Sequence, residues 1–496
     1  MYTFSSKLKT LALAFMVIGI LGIGYGFLTT PKTTEEVKEM LHQDDGHGGG
    51  HAEAHDNGES GSESSRDLLA VAQQEDDAHD VKESLKVHQD DSTHTNDSHA
   101  EDESHTSVSD HEENGDGHGM SEEEHLEHEL TFAQNRPWTA IYVAMLFFLL
   151  VSVCAFVYYC IQRAASAGWS PVLFRVMEGV SAYIVPGSII VLLFLLYSSV
   201  GHGNHMFAWM YTSIDPTAEN FDYAMETKDW WLNIPGWLIR SVIYVLIWIG
   251  FRHFIIKNSR AEDTASDLKP YNRNFTLSVV FIVVFLVTEL FMAFDWLMSI
   301  DHHWFSQLYP FYVFASMFVS AITVIAFVTI YLRSKGFLPF VNDSHIHDLA
   351  KYMFAFSIFW TYLFFAQFML QWYANIPEET TYFYPRLVGT YQPLFIGMLI
   401  MNFAFPILIL MNSDYKRIPW FVVLAGLIIL TGHYLDLFVM VAPGTVGSNW
   451  HFGIPEFGAL FFFLGLFIYV VFTALTKAPL LAKGNPLMKE SEIFHY

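Results

Sequence analysis

The 496-residue sequence is 52% hydrophobic and 17% aromatic but only 16% charged, well below the roughly 25% of soluble domains. Its net charge is −25, yet residues 31–130 hold 30 of the 51 acids and 5 of the 26 bases, which leaves the remainder neutral. These figures exclude a soluble enzyme, and also a basic nucleic-acid binder, which needs clustered positive charge.

Hydropathy predicts ten membrane spans, since a hydrocarbon core of ~30 Å needs about 20 apolar residues per helix. The runs lie at about 8–29, 137–161, 177–199, 235–256, 275–299, 310–332, 349–373, 388–411, 420–442 and 455–476. The first follows Lys7 and Lys9. Its apolar stretch exceeds the 7–15 residues of a signal peptide and no A-x-A-like site follows it, so it reads as a retained helix. The resulting divisions are 1–30 (first helix), 31–135 (acidic segment), 136–335 (a first helix bundle and the start of a second), 336–476 (the remainder of the second bundle and helix ten) and 477–496 (a tail).

The acidic segment carries 13 of the 23 histidines, as in DDGHGGGHAEAHD (44–56) and SEEEHLEHE (121–129). With few large apolar residues to bury, it is expected to be largely disordered. Imidazole beside carboxylate also suits zinc, copper or nickel, so His47, His51, His55, His125 and His128 are candidate weak ligands. A docking surface for a cationic electron-transfer partner and a plain solvated spacer are the alternatives.

Lys and Arg outside that segment divide seventeen to four between the two sides of the ten-span topology. The positive-inside rule then places both termini in the cytoplasm and residues 30–136 in the periplasm. Ionisable groups within the spans are candidates for function by default. On the fifth span Glu289 is at mid-depth and Asp295 lies towards the outer end, followed by Asp301, His302 and His303. On the ninth, His433 and Asp436 share a face at i, i+3. Gln367, Gln371 and Asn402 are further buried polar candidates. Glu178, Arg240 and Lys351 near span ends read as snorkelling to headgroups. Cys154 and Cys160 read as apolar packing residues. With no C-x-x-C-H, no cysteine cluster and His433 the single mid-membrane histidine, the chain is expected to bind no haem or iron–sulfur centre itself.

Three stretches carry a resemblance: KDWWLNIPGWLIR (228–240), FDWLMSIDHHWF (294–305) and FAFSIFWTYLFFAQFMLQWYANIPEE (354–379). In this order, with ten spans, they resemble the ActF-like membrane subunit of bacterial alternative complex III, in the NrfD-like (polysulfide reductase membrane subunit) superfamily. The resemblance covers about residues 137–476 and the first helix. It implies two four-helix bundles, helices two to five and six to nine, flanked by helices one and ten. It implies a complex of the bacterial inner membrane that oxidises menaquinol or ubiquinol and passes electrons to cytochrome c or a terminal oxidase. Haem c and the iron–sulfur clusters would sit on partner subunits, beside an NrfD-like sister subunit, while this chain lines a proton pathway. Asp295 and His303 occupy the family's outer-end acid and histidine; His302 stands where proline is expected. The proton-pathway candidates are thus Glu289, His433, Asp436, Asp295, Glu178 and Arg240. Asp295, Asp301, His302 and His303 form either its exit or a quinone-headgroup site. A metal-ion transporter and a passive scaffold are the competing readings. One His–Asp pair offers too few ligands for a metal-transport site, and the sequence shows no paired broken helices in corresponding halves.

Overall fold

The computed structural model describes residues 2–47 and 122–495 apart from positions 202 and 219, with side chains given outside 41–47. Two units divide them, one of residues 1–32 and 130–496 and the other of 33–129. The first is an all-α membrane body. Its ten long apolar helices are α1 (Ser6–Thr29), α2 (Glu122–Ala164), α3 (Pro171–Ser199), α4 (Ile234–Glu262), α5 (Lys269–Ile300), α6 (Tyr309–Ser334), α7 (Asp343–Ala374), α8 (Gln392–Leu410), α9 (Pro419–Val441) and α10 (Ile454–Leu475). Among the described residues the only β-pairing is one isolated bridge, Ser213 with Phe221. Seven of the ten start with proline in the first turn, where its missing N–H costs nothing and its fixed φ suits a helix start.

The hydrophobic surface is inverted relative to a soluble protein. Large apolar side chains such as Leu21, Leu193, Leu246, Val283, Leu370 and Leu408 stand exposed on the outer helices, as lipid-facing positions must. The apolar window of α2 is 94% buried against 22% for α1, so α2 forms the axis of the body.

Side-chain contacts sort the connections to two ends. At one end Arg163 pairs with Glu262 and Arg175 with Asp263, and Gly484 N donates to Asp263 Oδ1 at 3.2 Å. There too Arg333 meets Asp343 at 2.7 Å and Asn342 Nδ2 donates to Phe494 O at 2.6 Å. At the other end Arg136 pairs with Glu456 at 2.8 Å, Asn135 Nδ2 donates to Thr445 O at 3.1 Å and Trp304 Nε1 to Glu379 O at 3.1 Å. Both ends of the described body lie at the first of these ends, where Tyr2 meets Phe337 and Asn342 meets Phe494.

Two of the helices are interrupted, which sequence did not foretell. In α3 a 3₁₀ turn at Ser181–Tyr183 separates two α segments. In α8 a π-helical segment at Ile400–Ala404 carries Asn402, a distortion often found at functional sites. They are the second of helices two to five and the third of helices six to nine, so they do not correspond.

The described parts of the second unit are helical, and residues 48–121 of the segment expected to be largely disordered lie outside the described residues. Thr34–His47 is a helix, and α2 begins at Glu122, fifteen residues before the predicted start. Glu35 and Glu36 open the first helix, and Glu122 to Glu124 open α2; acids in a first turn favour the helix dipole. Lys38 meets Glu122 at 2.7 Å. His125 and His128 therefore lie on helix rather than coil. His47 ends the short helix, its side chain outside the described set, and His51 and His55 fall outside the described residues altogether.

Helix α1 docks on α10 through glycine. A Cβ on Gly22 would lie 2.8 Å from the backbone of Gly458, and one on Gly19 would lie 2.4 Å from Phe462 N. Such close backbone approach is how helices associate where lipid removes the hydrophobic drive. Phe15 and Phe461, stacked at 5.4 Å, mark the same seam. Cysteines at 15 and 461 are therefore expected to cross-link under mild oxidation, read as a gel-mobility shift. Adding Gly22→Leu is expected to abolish that link; its persistence would refute the glycine-dependent seam.

Candidate functional site

The buried acids of the membrane body differ in what neutralises them, and three centres show the contrast. The first is Asp295 on α5, fully buried. Arg240 of α4 grips it with two parallel bonds, Nη2 to Oδ1 and Nε to Oδ2, both 2.8 Å. Trp231 Nε1 donates to Oδ1 at 2.9 Å and Tyr244 OH to Oδ2 at 2.7 Å. The guanidinium also lies 4.1 Å from the Trp231 ring centroid. Trp237 Nε1 donates to the Asp295 carbonyl at 2.6 Å, and Trp296 Nε1 to Ser241 Oγ at 2.9 Å. The tryptophan-rich stretches 228–240 and 294–305 are thus one site in space. Arg240 does not snorkel. With four donors on its two oxygens, Asp295 has no acceptor position left for a quinone headgroup.

Glu178 on α3 is the second paired acid. It takes Arg175 Nη1 at 2.7 and 3.0 Å, Ser259 Oγ at 2.5 Å and Arg260 Nη2 at 3.0 Å. Two cations surround one carboxylate, so it too is an anchor rather than a group reaching for lipid. Lys351 likewise turns to Asp348, at 2.5 Å.

The third centre has no cation. Asp436 on α9 accepts from Tyr312 OH, from Ser316 Oγ at 2.7 Å and from Trp360 Nε1 at 3.0 Å. His433, one turn back, is 3.7 Å from the carboxylate, too far for a direct hydrogen bond. Ser316 Oγ fills the gap, 2.9 Å from His433 Nδ1. The pair predicted to share a face is therefore joined through a hydroxyl of α6. A hydroxyl both donates and accepts, so His433 Nδ1, Ser316 and Asp436 form a three-member hydrogen-bonded chain. Among the described residues His433 Nε2 has no hydrogen-bond partner, nor has either amide atom of Asn402. Asn402, on the π segment of α8, faces Gly432; a Cβ there would lie 2.1 Å from Asn402 Oδ1.

Glu289 on α5 stands apart from all three. It is 4% exposed and its Oε1 has no hydrogen-bond partner, and among the described residues no cation pairs with it. It lies eleven residues before Ile300, about 16 Å into the span at 1.5 Å per residue. α5, which carries Glu289, and α9, which carries His433 and Asp436, both pack on α6, the helix of Ser316.

Beside Asp436 a cavity of about 10 Å³ is lined by Tyr312, Gln367, Tyr382 and Phe395, room for roughly one water and not for a quinone ring. Arg386, fully enclosed beyond it, bonds the carbonyls of Tyr382, Val439 and Met440 and lies 3.6 Å from the Tyr382 ring centroid. Sequence reading had it only as one of four outer-side bases.

Past the end of α5, Asp222 meets both histidines of the 301–303 turn. His302 Nε2 is 2.7 Å and His303 Nε2 3.4 Å from Asp222 Oδ2. Burial works to raise the Asp222 carboxyl, but the His302 hydrogen bond and the charges of both histidines outweigh it and hold it below the ordinary value. Burial, then repulsion from His303, lowers His302 despite Asp222. Asp301 is half-exposed. Asp222, Ser316, Tyr312, Trp360 and Trp231 were not singled out from sequence, because each gains meaning only from a partner on another helix.

Compared with known proteins, the chain matches no family model and no curated protein sequence.

The bidentate pair yields a stability prediction. Arg240→Ala leaves Asp295 buried and unpaired, which costs about 3–5 kcal/mol. Thermal unfolding of the solubilised protein is expected to show a marked loss. Arg240→Ala with Asp295→Asn is expected to recover part of it. Equal stability of the single variant and the parent would show that the pair does not hold α4 to α5.

Proposed function

We propose that this chain is a proton-conducting membrane subunit of a quinol-oxidising respiratory complex of the alternative complex III type. The observation that carries the reading is the contrast among buried acids: Asp295 and Glu178 are held by arginine, whereas Glu289 and the Asp436–Ser316–His433 wire have no cation. A carboxylate clasped by arginine is committed to that ion pair, whereas a buried carboxyl outside any such pair has no fixed counter-charge and is suited to take up and release a proton. Glu289 is the mid-depth station. The wire carries a proton between His433 and Asp436 by a concerted shift: a proton arrives at His433 Nε2, His433 Nδ1 passes its own to Ser316, and Ser316 passes its proton to Asp436, so that the imidazole stays neutral. Arg240, Asp295 and Glu178 belong to the frame.

Quinol oxidation on a partner subunit would supply protons and electrons. The electrons would travel through iron–sulfur and c-haem subunits to cytochrome c or a terminal oxidase. The orientation consistent with this role puts both termini in the cytoplasm of a bacterial inner membrane. A reporter fused after Tyr496 is then expected to work only as a cytoplasmic enzyme, and one inserted near Gly115 only as an exported one. The reverse pattern would overturn the orientation.

The decisive experiment takes the gently solubilised complex, whose absorption spectrum is expected to show c-type haem, and compares variants reconstituted in vesicles. Glu289→Gln and Ser316→Ala are expected to leave assembly intact and to lower proton movement coupled to quinol oxidation by about tenfold or more, within the range of positioned proton transfer. Ser316→Thr, which keeps the hydroxyl, is expected to restore it. Full coupling in both Glu289→Gln and Ser316→Ala would make these groups structural and leave the scaffold reading.

A further inference from the structure

We infer that Asp222, His302 and His303 form a binding site for one divalent transition-metal ion, zinc by preference, at the membrane-body end where α5 leaves the helical core. The inference is independent of proton conduction. It rests on how each ligand is held. Asp222 caps the short helix Tyr223–Lys228, and its Oδ1 is spent on that cap, accepting from Ala224 N at 2.8 Å and Met225 N at 3.4 Å. Oδ2 is left facing the two imidazoles. His302 is buried, its carbonyl taken by the ammonium of Lys228, so its ring position is set. His303 is exposed, with its ring 4.2 Å from that of His302, and stays free to adjust.

The donor atoms Asp222 Oδ2, His302 Nε2 and His303 Nε2 all lie within 4.8 Å of one another. Bonds of about 2.0–2.2 Å to a tetrahedral zinc put neighbouring ligand atoms some 3.2–3.5 Å apart. The Asp222–His303 separation of 3.4 Å already meets this. The 2.7 Å Asp222–His302 contact is a hydrogen bond that the ion replaces with a slight opening. Two imidazoles and one carboxylate select zinc, copper or nickel over magnesium and calcium, which require mostly oxygen. Asp301 adds negative charge within reach of His302, offsetting Lys228. The exposed side of His303 leaves the fourth position to water. A bound ion ties the α3–α4 connection to the turn after α5.

The His-rich segment also binds metal in principle, so a bulk stoichiometry would not resolve this site. Footprinting does. Full-length protein in detergent is treated with diethyl pyrocarbonate, with free zinc held constant by a metal buffer, and His303 modification is read by mass spectrometry. Zinc is expected to slow His303 modification about tenfold, and magnesium to leave it unchanged. Asp222→Asn, which keeps the helix cap, and His302→Gln, which keeps a donor to Asp222, are each expected to abolish the protection, since each takes away one of the three ligands. Unprotected His303 in the parent protein, or equal protection in either folded variant, would reduce the cluster to a hydrogen-bonded cap and overturn the site.

Discussion

The membrane body depends on burying Asp295 with Arg240. Neither charge belongs in an apolar interior alone, and the cost of moving either there is several kcal/mol. Their bidentate geometry, with Trp231 and Tyr244 on the remaining acceptor positions, offsets that cost only when α4 and α5 are both in place. Trp237 and Trp296 extend the same site into backbone and α4. The loop before α4 is fixed in consequence, because Arg240 Nη2 also bonds the Trp231 carbonyl at 2.9 Å. From that anchor the chain continues six residues to Asp301 and the paired histidines, so the cluster beyond the helix inherits a rigid base.

The same design recurs at Asp436 with one substitution of chemistry. Asp295 and Asp436 each receive a tryptophan indole and a tyrosine hydroxyl, and each lies near the same end of its helix. At Asp295 the remaining ligand is a guanidinium; at Asp436 it is a serine hydroxyl leading to a histidine. A guanidinium brings a permanent positive charge, so the first acid sits in an ion pair. A hydroxyl carries no charge, so the second has only neutral donors around it. Aromatic donors hold either carboxylate in place, and the third ligand sets the charge beside it.

How much of this was legible in the sequence follows from the range of the forces involved. The spans came from local apolar runs, and composition over about 20 residues is a local property. Boundaries suffered where polar residues continue a helix: α2 starts at Glu122 because its acidic first turn suits the dipole, although hydropathy shows nothing before residue 137. The i, i+3 spacing of His433 and Asp436 correctly put them on one face. The hydroxyl between them comes from Ser316, more than a hundred residues away, and no periodicity announces it. Arg240 and Glu178 were misjudged for the same reason, since snorkelling and pairing give identical local patterns and differ only in what the neighbouring helix presents.

Glycine at the α1–α10 seam bears on the same question. Helix α1 is the least enclosed of the ten, yet Gly19, Gly22 and Gly458 bring its backbone against α10 more closely than any side chain permits. In lipid that closeness supplies dispersion contact where apolar burial supplies no net drive. The body is thus held by two unlike devices: ion pairs and indole hydrogen bonds among the inner helices, and bare backbone contact at its margin. Among the described residues the other buried acids of the membrane body are each neutralised by arginine or, at Asp348, by lysine, and the two left without either, Glu289 and Asp436, stand on helices that both pack on α6. An interior that neutralises its structural acids so thoroughly has no structural need for two more, and that is the physical argument for giving those two a different task.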